Sequence, residues 1–291
     1  MLSHQNSHPT QPSRVVMIGG TGFIGQTLTR LLDNQKIPTL ALGSRDLDLS
    51  EGDASDKLAH ILKPDDTLIF LSALTPDKGK GIDTFMRNLR MGEQVCAALK
   101  SKPCRHVVYL SSDAVYPLSE PLVSEATPAA PADLYGVMHL SRELMLKETV
   151  KGALCILRPT LIYGAEDTHN SYGPNRFRRQ AAKEAKITLG GNGEDTRDHV
   201  CVTDIAQLIY HIVLRQSVGL LNIATGVSTP FSEIANWLVG LSDSPIEIVP
   251  TPRNGAITYR QFDIAGLRAT FPDFRFTALQ EGLRWAQFNQ G

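Results

Sequence analysis

The sequence predicts an α/β protein built on a doubly wound parallel sheet, with a smaller C-terminal α/β lobe. Three observations carry this. Short apolar runs alternate with helix-like segments over the first two-thirds of the chain. A glycine-rich turn joins the first long run to a helical pattern. After Pro159 the composition changes to stretches rich in Gly, Asn, Asp and Arg. Alternation of this kind means βαβ units, whose parallel strands are covered by helices on both faces.

Residues 1–13 are polar and lack an apolar core, so they are expected as a disordered tail and not as a signal peptide. Strands are expected at 15–18, 39–42, 67–71, 106–110 and 155–157, with helices at 24–33, 54–62, 85–100 and 134–149 between them. Residues 162–198 read as loops around one helix at 176–185. A helix at 203–215, a strand at 220–224 and helices at 231–240 and 277–288 complete the chain. The expected division is a first lobe of residues 14–163 plus 199–226 and a second of 164–198 plus 227–291, with a cleft between them.

The 29 basic and 30 acidic residues nearly cancel, which removes the bulk electrostatic case for nucleic acid or a membrane surface. Cys96, Cys104, Cys155 and Cys201 have no ligand spacing, so a reduced, cytoplasmic setting is expected rather than a disulfide or zinc framework. The apolar runs are too short to span a bilayer. Asp167, His169 and His199 also lack a regular ligand spacing, and no metal centre is expected there.

The segment VVMIGGTGFIGQTLTRLL (15–32) is the most informative. A β-branched and apolar run feeds Gly19, Gly22 and Gly25, and an amphipathic helix follows. Glycines allow a tight turn and close approach, and the helix N-terminus faces a pyrophosphate; this is the Rossmann-type arrangement for a dinucleotide. Gly19, Thr21, Gly22, Phe23, Ile24 and Gly25 are the cofactor contacts expected from it. After the second strand, LALGSRDLDLS (40–50) offers Ser44 and Arg45, which suit the 2′-phosphate of NADP. Asp46 follows at once and keeps open the ribose contact of NAD. In DLYGVMHLSRE (133–143), Tyr135, His139 and Arg142 fall at i, i+4 and i+7, on one helical face.

The GxxGxxG spacing resembles the short-chain dehydrogenase/reductase superfamily, and best its extended, nucleotide-sugar epimerase/dehydratase branch. YLSSDAVY (109–116) looks like that family's strand bearing the catalytic Ser or Thr, at Ser112. YGVMHLSRE looks like its YxxxK helix, matching at Tyr135, Gly136 and Glu143 but not at the lysine. LRPTLIYG (157–164) resembles the strand whose end passes the nicotinamide, with Pro159. GGNGEDTRDHVCVTDIAQLI (190–209) resembles the segment whose arginine, Arg197, grips a sugar-nucleotide diphosphate, and LNIATG (221–226) the strand returning to the first lobe. Asp48 and Leu49 look like the adenine-contacting pair, and Ser72 and Ala73 like the small-residue cofactor wall. In GAEDTHNSYGPNRFRRQAAKEAK (164–186), Arg176, Arg179 and Lys183 share a helical face while Arg178 points elsewhere. The resemblance adds Asp113, His169, Asn175 and Arg176 to the candidate substrate contacts.

What the resemblance implies is a nicotinamide-dependent epimerase or reductase acting on a nucleotide-diphospho-sugar, as a homodimer through helices 85–100 and 134–149. Tyr135 would be the acid–base residue, with Ser112 on the same oxygen. Two departures bear on this. His139 stands where the lysine would bind ribose and lower the phenol pKa, and Arg142 is expected to lie too far from Tyr135 to substitute. Family dehydratases carry Asp-Glu after the Ser or Thr, whereas here Asp113 is followed by Ala114, so a dehydratase is disfavoured. The competing reading is an NADP-binding sensor or interaction protein of the same fold. His139 favours it; Ser112, Tyr135 and Arg197 oppose it.

Overall fold

Successive residues of an extended strand point to opposite faces, so a strand apolar at every position needs cover on both sides. The computed structural model, which describes residues 2–167, 173–253 and 255–288, supplies that cover along most of the chain. In order the elements are β1 (Ser3–His4), β2 (Arg14–Ile18), α1 (Phe23–Asn34), β3 (Thr39–Leu42), α2 (Ala54–Ile61), β4 (Asp66–Phe70), α3 (Ile82–Ser101), β5 (His106–Leu110), β6 (Leu122–Val123), α4 (Leu134–Thr149), β7 (Ala153–Pro159) and β8 (Leu161–Tyr163). Then come α5 (Gly173–Glu184), β9 (Lys186–Gly190), β10 (Thr196–Cys201), α6 (Val202–Arg215), β11 (Ser217–Ile223), β12 (Ser228–Pro230), α7 (Phe231–Gly240), β13 (Glu247–Thr251), β14 (Gln261–Phe262), α8 (Ala265–Thr270) and α9 (Leu279–Phe288). No described helix is long and apolar enough to cross a membrane.

Seven strands form the main sheet in the order β1-β11-β7-β5-β4-β2-β3, with every pair parallel except β1 with β11. Val15 and Met17 of β2 join one core with Leu28 and Leu32 of α1 and Ile205 and Ile209 of α6. Val16 and Ile18 join the opposite core with Leu58 of α2, Val95 of α3 and Leu146 of α4. From β2 the chain steps outward to β3 and then returns to β4 on the other side. The order reverses between β2 and β4, and a crevice opens there at the C-terminal ends of the strands.

Two expectations are corrected. Residues 2–13 are not a disordered tail. Strand β1 pairs with the edge of β11, Leu2 is buried in the first core, and Asn6 and Thr10 donate backbone N–H groups to Arg215 and Leu214. His4 donates from Nε2 to the Thr270 carbonyl at 3.2 Å and meets Ser217 Oγ with Nδ1 at 2.8 Å. The polar segment is held because it completes the hydrogen bonds of an edge strand, not because it is apolar. Residues 162–198 also contain more than loops and one helix. β8, β10 and β12 form a three-stranded sheet, and β9 pairs with β13. Around them α5, α7 and α9 enclose a second core of Phe177, Ile187, Leu189, Ile234 and Leu283. Ile264, Leu267, Phe271, Phe274 and Phe276, expected with the smaller lobe, pack against the first core.

Deleting residues 1–7 should lower the unfolding free energy by about 1.5–3 kcal/mol, the value of burying one Leu side chain. Urea denaturation reads it; an unchanged midpoint would mean that the segment is not docked.

Candidate active site

The crevice at the β2–β4 switch point is a cavity of about 790 Å³. Its floor is the turn after β2. Gly19 has φ +87°, and a Cβ there would stand 2.9 Å from the Ser72 backbone nitrogen, so only glycine lets the turn and the exit of β4 touch. A Cβ at Gly25 would collide with the Gly19 carbonyl, and one at Gly43 would reach Thr21 Oγ1 at 2.5 Å. Helix α1 begins at Gly22 with no capping side chain and no acidic residue in its first turn. Its first N–H groups and its positive dipole end therefore face the cavity with no carboxylate from the helix's own cap or first turn. A dinucleotide pyrophosphate fits this cradle in charge and in space.

Gly19, Thr21, Gly22, Phe23, Ile24, Gly25, Ser44, Asp48, Leu49, Ser72, Ala73 and Pro159 all line the cavity. Arg45 does not; its side chain is exposed outside the wall, whereas Lys78 and Arg87 do line it, as Arg197 and Arg260 do elsewhere. Asp46 accepts from the Gly43 N–H at 2.9 Å and so closes its own turn. Asp48 accepts from the Ser50 hydroxyl at 2.6 Å and its N–H at 2.9 Å; these bonds, with Arg87 nearby, hold its carboxyl below the usual range.

The opposite wall is made by α4 crossing the end of β5. Asp133 caps the helix by accepting from the Gly136 N–H at 2.8 Å, and Gly136 lies so close to the Ala114 carbonyl that a Cβ would overlap it. Glu143, fully buried, accepts from Ser111 Oγ at 2.6 Å and from Arg158 Nε and Nη2 at 2.8 and 2.6 Å. The Arg158 guanidinium also lies over the Tyr116 ring at 4.8 Å. These contacts tie β5, α4 and β7 together and bring Ser112, Tyr135 and His139 to one side of the cavity. Ser112 Oγ accepts from the Ala114 N–H at 3.1 Å, which leaves its own O–H to donate.

Burial is the main cause that raises the half-buried Tyr135 phenol, and Asp113 adds to it, while Arg142 acts in the opposite direction. The His139 ring meets Tyr135 edge-on at 4.6 Å, and its Nδ1 lies 2.8 Å from the Tyr109 hydroxyl. Burial first, and then Arg142, keep His139 far below the usual histidine range, so it is neutral.

On the third side stand Asp113, Arg197 and Arg260. Arg197 donates to the Thr196 carbonyl at 2.7 Å and to Thr258 Oγ1 at 2.7 Å. Arg260, 2 % exposed, donates to the Asp113 carbonyl at 2.9 Å and lies 3.7 Å from its carboxylate. Burial raises the Asp113 carboxyl against the pull of both arginines. Arg260 is a cavity residue that the sequence reading missed; a single Arg before a two-residue strand carries no motif. Two expected substrate contacts are absent from the cavity wall. Asn175 stands behind Asp167, a lining residue, and donates to its carboxylate, while Arg176 lies over Phe177 at 5.3 Å and donates to the Thr188 carbonyl. His169 lies outside the described residues.

A sequence model of the NAD dependent epimerase/dehydratase family matches residues 15–224. The fold is similar to that of a UDP-glucose 4-epimerase from Thermus thermophilus in complex with NAD, at 22% identity and TM-score 0.79, covering 94% of this chain and 97% of that one. It is similar to a UDP-N-acetylglucosamine 4-epimerase from Methanobrevibacter ruminantium in complex with UDP-N-acetylmuramic acid, at 22% identity and TM-score 0.80, covering 96% and 98%. A GDP-L-fucose synthetase from Naegleria fowleri bound to NADP matches at 16% identity and TM-score 0.83, covering 99% and 96%.

Replacing Glu143 with Ala would leave the Arg158 guanidinium buried without its partner, at a cost of about 3–5 kcal/mol. Chemical denaturation should show that loss; a change under about 1 kcal/mol would mean that the pair does not hold the wall.

Proposed function

The chain belongs to the NAD dependent epimerase/dehydratase family, and we propose that it is a nicotinamide-dependent epimerase or reductase of a nucleotide-diphospho-sugar. One observation carries this reading. A glycine cradle and two arginines line the same cavity as Ser112 and Tyr135. The cradle suits one diphosphate and the arginines suit another, since guanidinium groups bind phosphate oxygens through two parallel N–H donors. The likeness to structures holding NAD, NADP or UDP-N-acetylmuramic acid supports the same pairing of ligands.

Bound in the cradle, the nicotinamide would accept or return a hydride at the sugar carbon. Tyr135 would hold the proton of the reacting sugar hydroxyl, and Ser112 would donate a hydrogen bond to the same oxygen. Asp113 would orient the sugar, and Arg197 and Arg260 would hold its diphosphate. Ala114, next to Asp113, gives no second carboxylate for elimination of water, which favours epimerisation or reduction over dehydration.

For the dinucleotide we favour NADP. Ser44 and the cation Arg87 line the adenosine end of the cavity, with Arg45 alongside, while the Asp46 carboxylate is turned to its own backbone. Apolar Ile82 and Met86 of α3 and Leu144 of α4 are exposed and suit the homodimer that the resemblance implies.

Arg87→Ala should weaken NADP by about 1.5–3 kcal/mol and leave NAD nearly unchanged. Calorimetric titration with each dinucleotide decides it, and equal losses would remove the 2′-phosphate assignment. Arg197→Ala and Arg260→Ala should each abolish the thermal stabilisation given by UDP- or GDP-sugars while dinucleotide binding persists. Stabilisation of the parent chain by the dinucleotide, but by no nucleotide sugar, would favour the sensor reading instead.

A further inference from the structure

A buried arginine with no carboxylate partner among the described residues stands behind Ser72 in the cavity wall. Arg142 is 1 % exposed, and its hydrogen bonds go to neutral oxygens. Nε and Nη2 donate to the Asn88 carbonyl at 2.9 and 2.5 Å, Nη2 to Asn88 Oδ1 at 3.1 Å, and Nη1 to the Ser72 carbonyl at 2.8 Å. The adjacent Glu143 is paired with Arg158 instead. Burial of a guanidinium with no carboxylate among its partners in the described residues is unfavourable, and a core usually avoids it. Here α3 makes room for it, because a Cβ at Gly92 would stand 2.9 Å from Arg142 Cγ. The guanidinium also rests over Phe70 at 4.9 Å.

The donors around His139 fix its tautomer. Among the described residues the Tyr109 hydroxyl has one hydrogen-bond partner, His139 Nδ1 at 2.8 Å, and the Arg142 guanidinium rests on the Phe70 ring, which packs against Tyr109 at 5.3 Å. Arginine can only donate. The guanidinium therefore offers the Tyr109 O–H no acceptor, and that O–H turns to His139 Nδ1. With Nδ1 accepting, a neutral imidazole carries its hydrogen on Nε2. That atom is buried in a cavity-lining residue and has no partner among the described residues.

Resting on the functional reading above, we propose that Tyr109 and Arg142 are positioning residues that together replace the lysine missing at position 139. Tyr109 holds His139 as the Nε2–H tautomer, a donor for a ribose hydroxyl of the dinucleotide. Arg142 supplies a permanent positive charge behind Ser72, in the wall of the cavity that Tyr135 lines. It is bonded to Ser72, which lines the same cavity as Tyr135, and its charge acts on the phenol in the sense of the phenolate, against burial, Asp113, Asp133 and Asp77, which act the other way. Its charge does not titrate in the working range, so activity needs no protonated histidine. A lysine at 139 would crowd a second cation against the first.

Neither test needs a sugar, so failure of the substrate reading leaves both standing, and the reverse holds too. The first is nitrogen-15 NMR of the histidine rings in the purified chain, with His139 assigned by loss of its signals in His139→Gln. Neutral imidazole protonated on Nε2 from pH 6 to 8 is expected. The Nδ1–H tautomer or imidazolium at pH 7 would overturn the proposal. Tyr109→Phe should release the lock and weaken NADP about three- to tenfold; unchanged tautomer and affinity would also overturn it. The second test places a fluorotyrosine, whose phenol ionises in an accessible range, at position 135 and titrates its absorbance. Arg142→Lys should keep the midpoint, and Arg142→Met should raise it by about one unit or more. Should Arg142→Met not fold, Asn88→Asp puts a carboxylate on the guanidinium and should raise the midpoint in the same sense. A midpoint unmoved in every folded variant removes the charge from the account.

Discussion

Glu143 has no exposure to solvent, and its two oxygens are taken by Ser111 at the end of β5 and by the Arg158 guanidinium in β7. The carboxylate is the point at which three elements meet. Hydrogen bonds from both partners offset the desolvation of the charge, and the geometry leaves little choice of register. With the C-terminal half of α4 pinned there, its first turn is pressed onto the Ala114 carbonyl, where only Gly136 fits. Ser112, Tyr135 and His139 owe their common wall to these two contacts. Pro159, at the end of β7, reaches the same cavity because Arg158 holds that strand.

The charges around the cavity divide by whether they have partners. Glu143 and Arg158 neutralise each other and serve packing. Arg197 and Arg260 share Asp113, which burial pushes toward its neutral form, so that side of the cavity is left electropositive. Arg142 donates its hydrogen bonds to neutral oxygens and projects its charge toward Tyr135. Together with the uncapped start of α1, these groups place positive charge at more than one point of the cavity, while burial and Asp113 still hold the Tyr135 phenol in its neutral form. Two diphosphate-bearing ligands that meet at Tyr135 would complement this pattern.

Much of the first lobe was legible because its strands are β-branched runs bounded by turn residues. The expected strands at 39–42 and 106–110 have the observed limits, and the helix at 134–149 does too. The glycine turn was readable because its constraint is local, between residues a few positions apart. What escaped depends on distant packing. Polar residues 2–13 dock because β11 has an open edge, and β10 hides its strand character behind Asp198 and His199. The Asp198 carboxylate, pushed up to about 6 by burial, accepts from the Thr225 N–H at 3.0 Å and the Gly226 N–H at 2.8 Å. Nothing local in the sequence marks Arg142 as buried, since Asn88 and Gly92 of the distant α3 are what enclose it. Arg176 lies in the expected helix but does not reach the cavity wall, because Phe177 and the Thr188 carbonyl hold its side chain.

Every role given to Tyr135, His139 and the two cavity arginines presupposes that the glycine cradle and the Tyr135 wall enclose a nicotinamide dinucleotide. Native mass spectrometry of the purified chain, before and after addition of NADP and of NAD, decides this. A one-to-one increment of a dinucleotide mass is expected, lost in Gly25→Ala if that variant stays folded. A chain that takes up neither dinucleotide at millimolar concentration would contradict it.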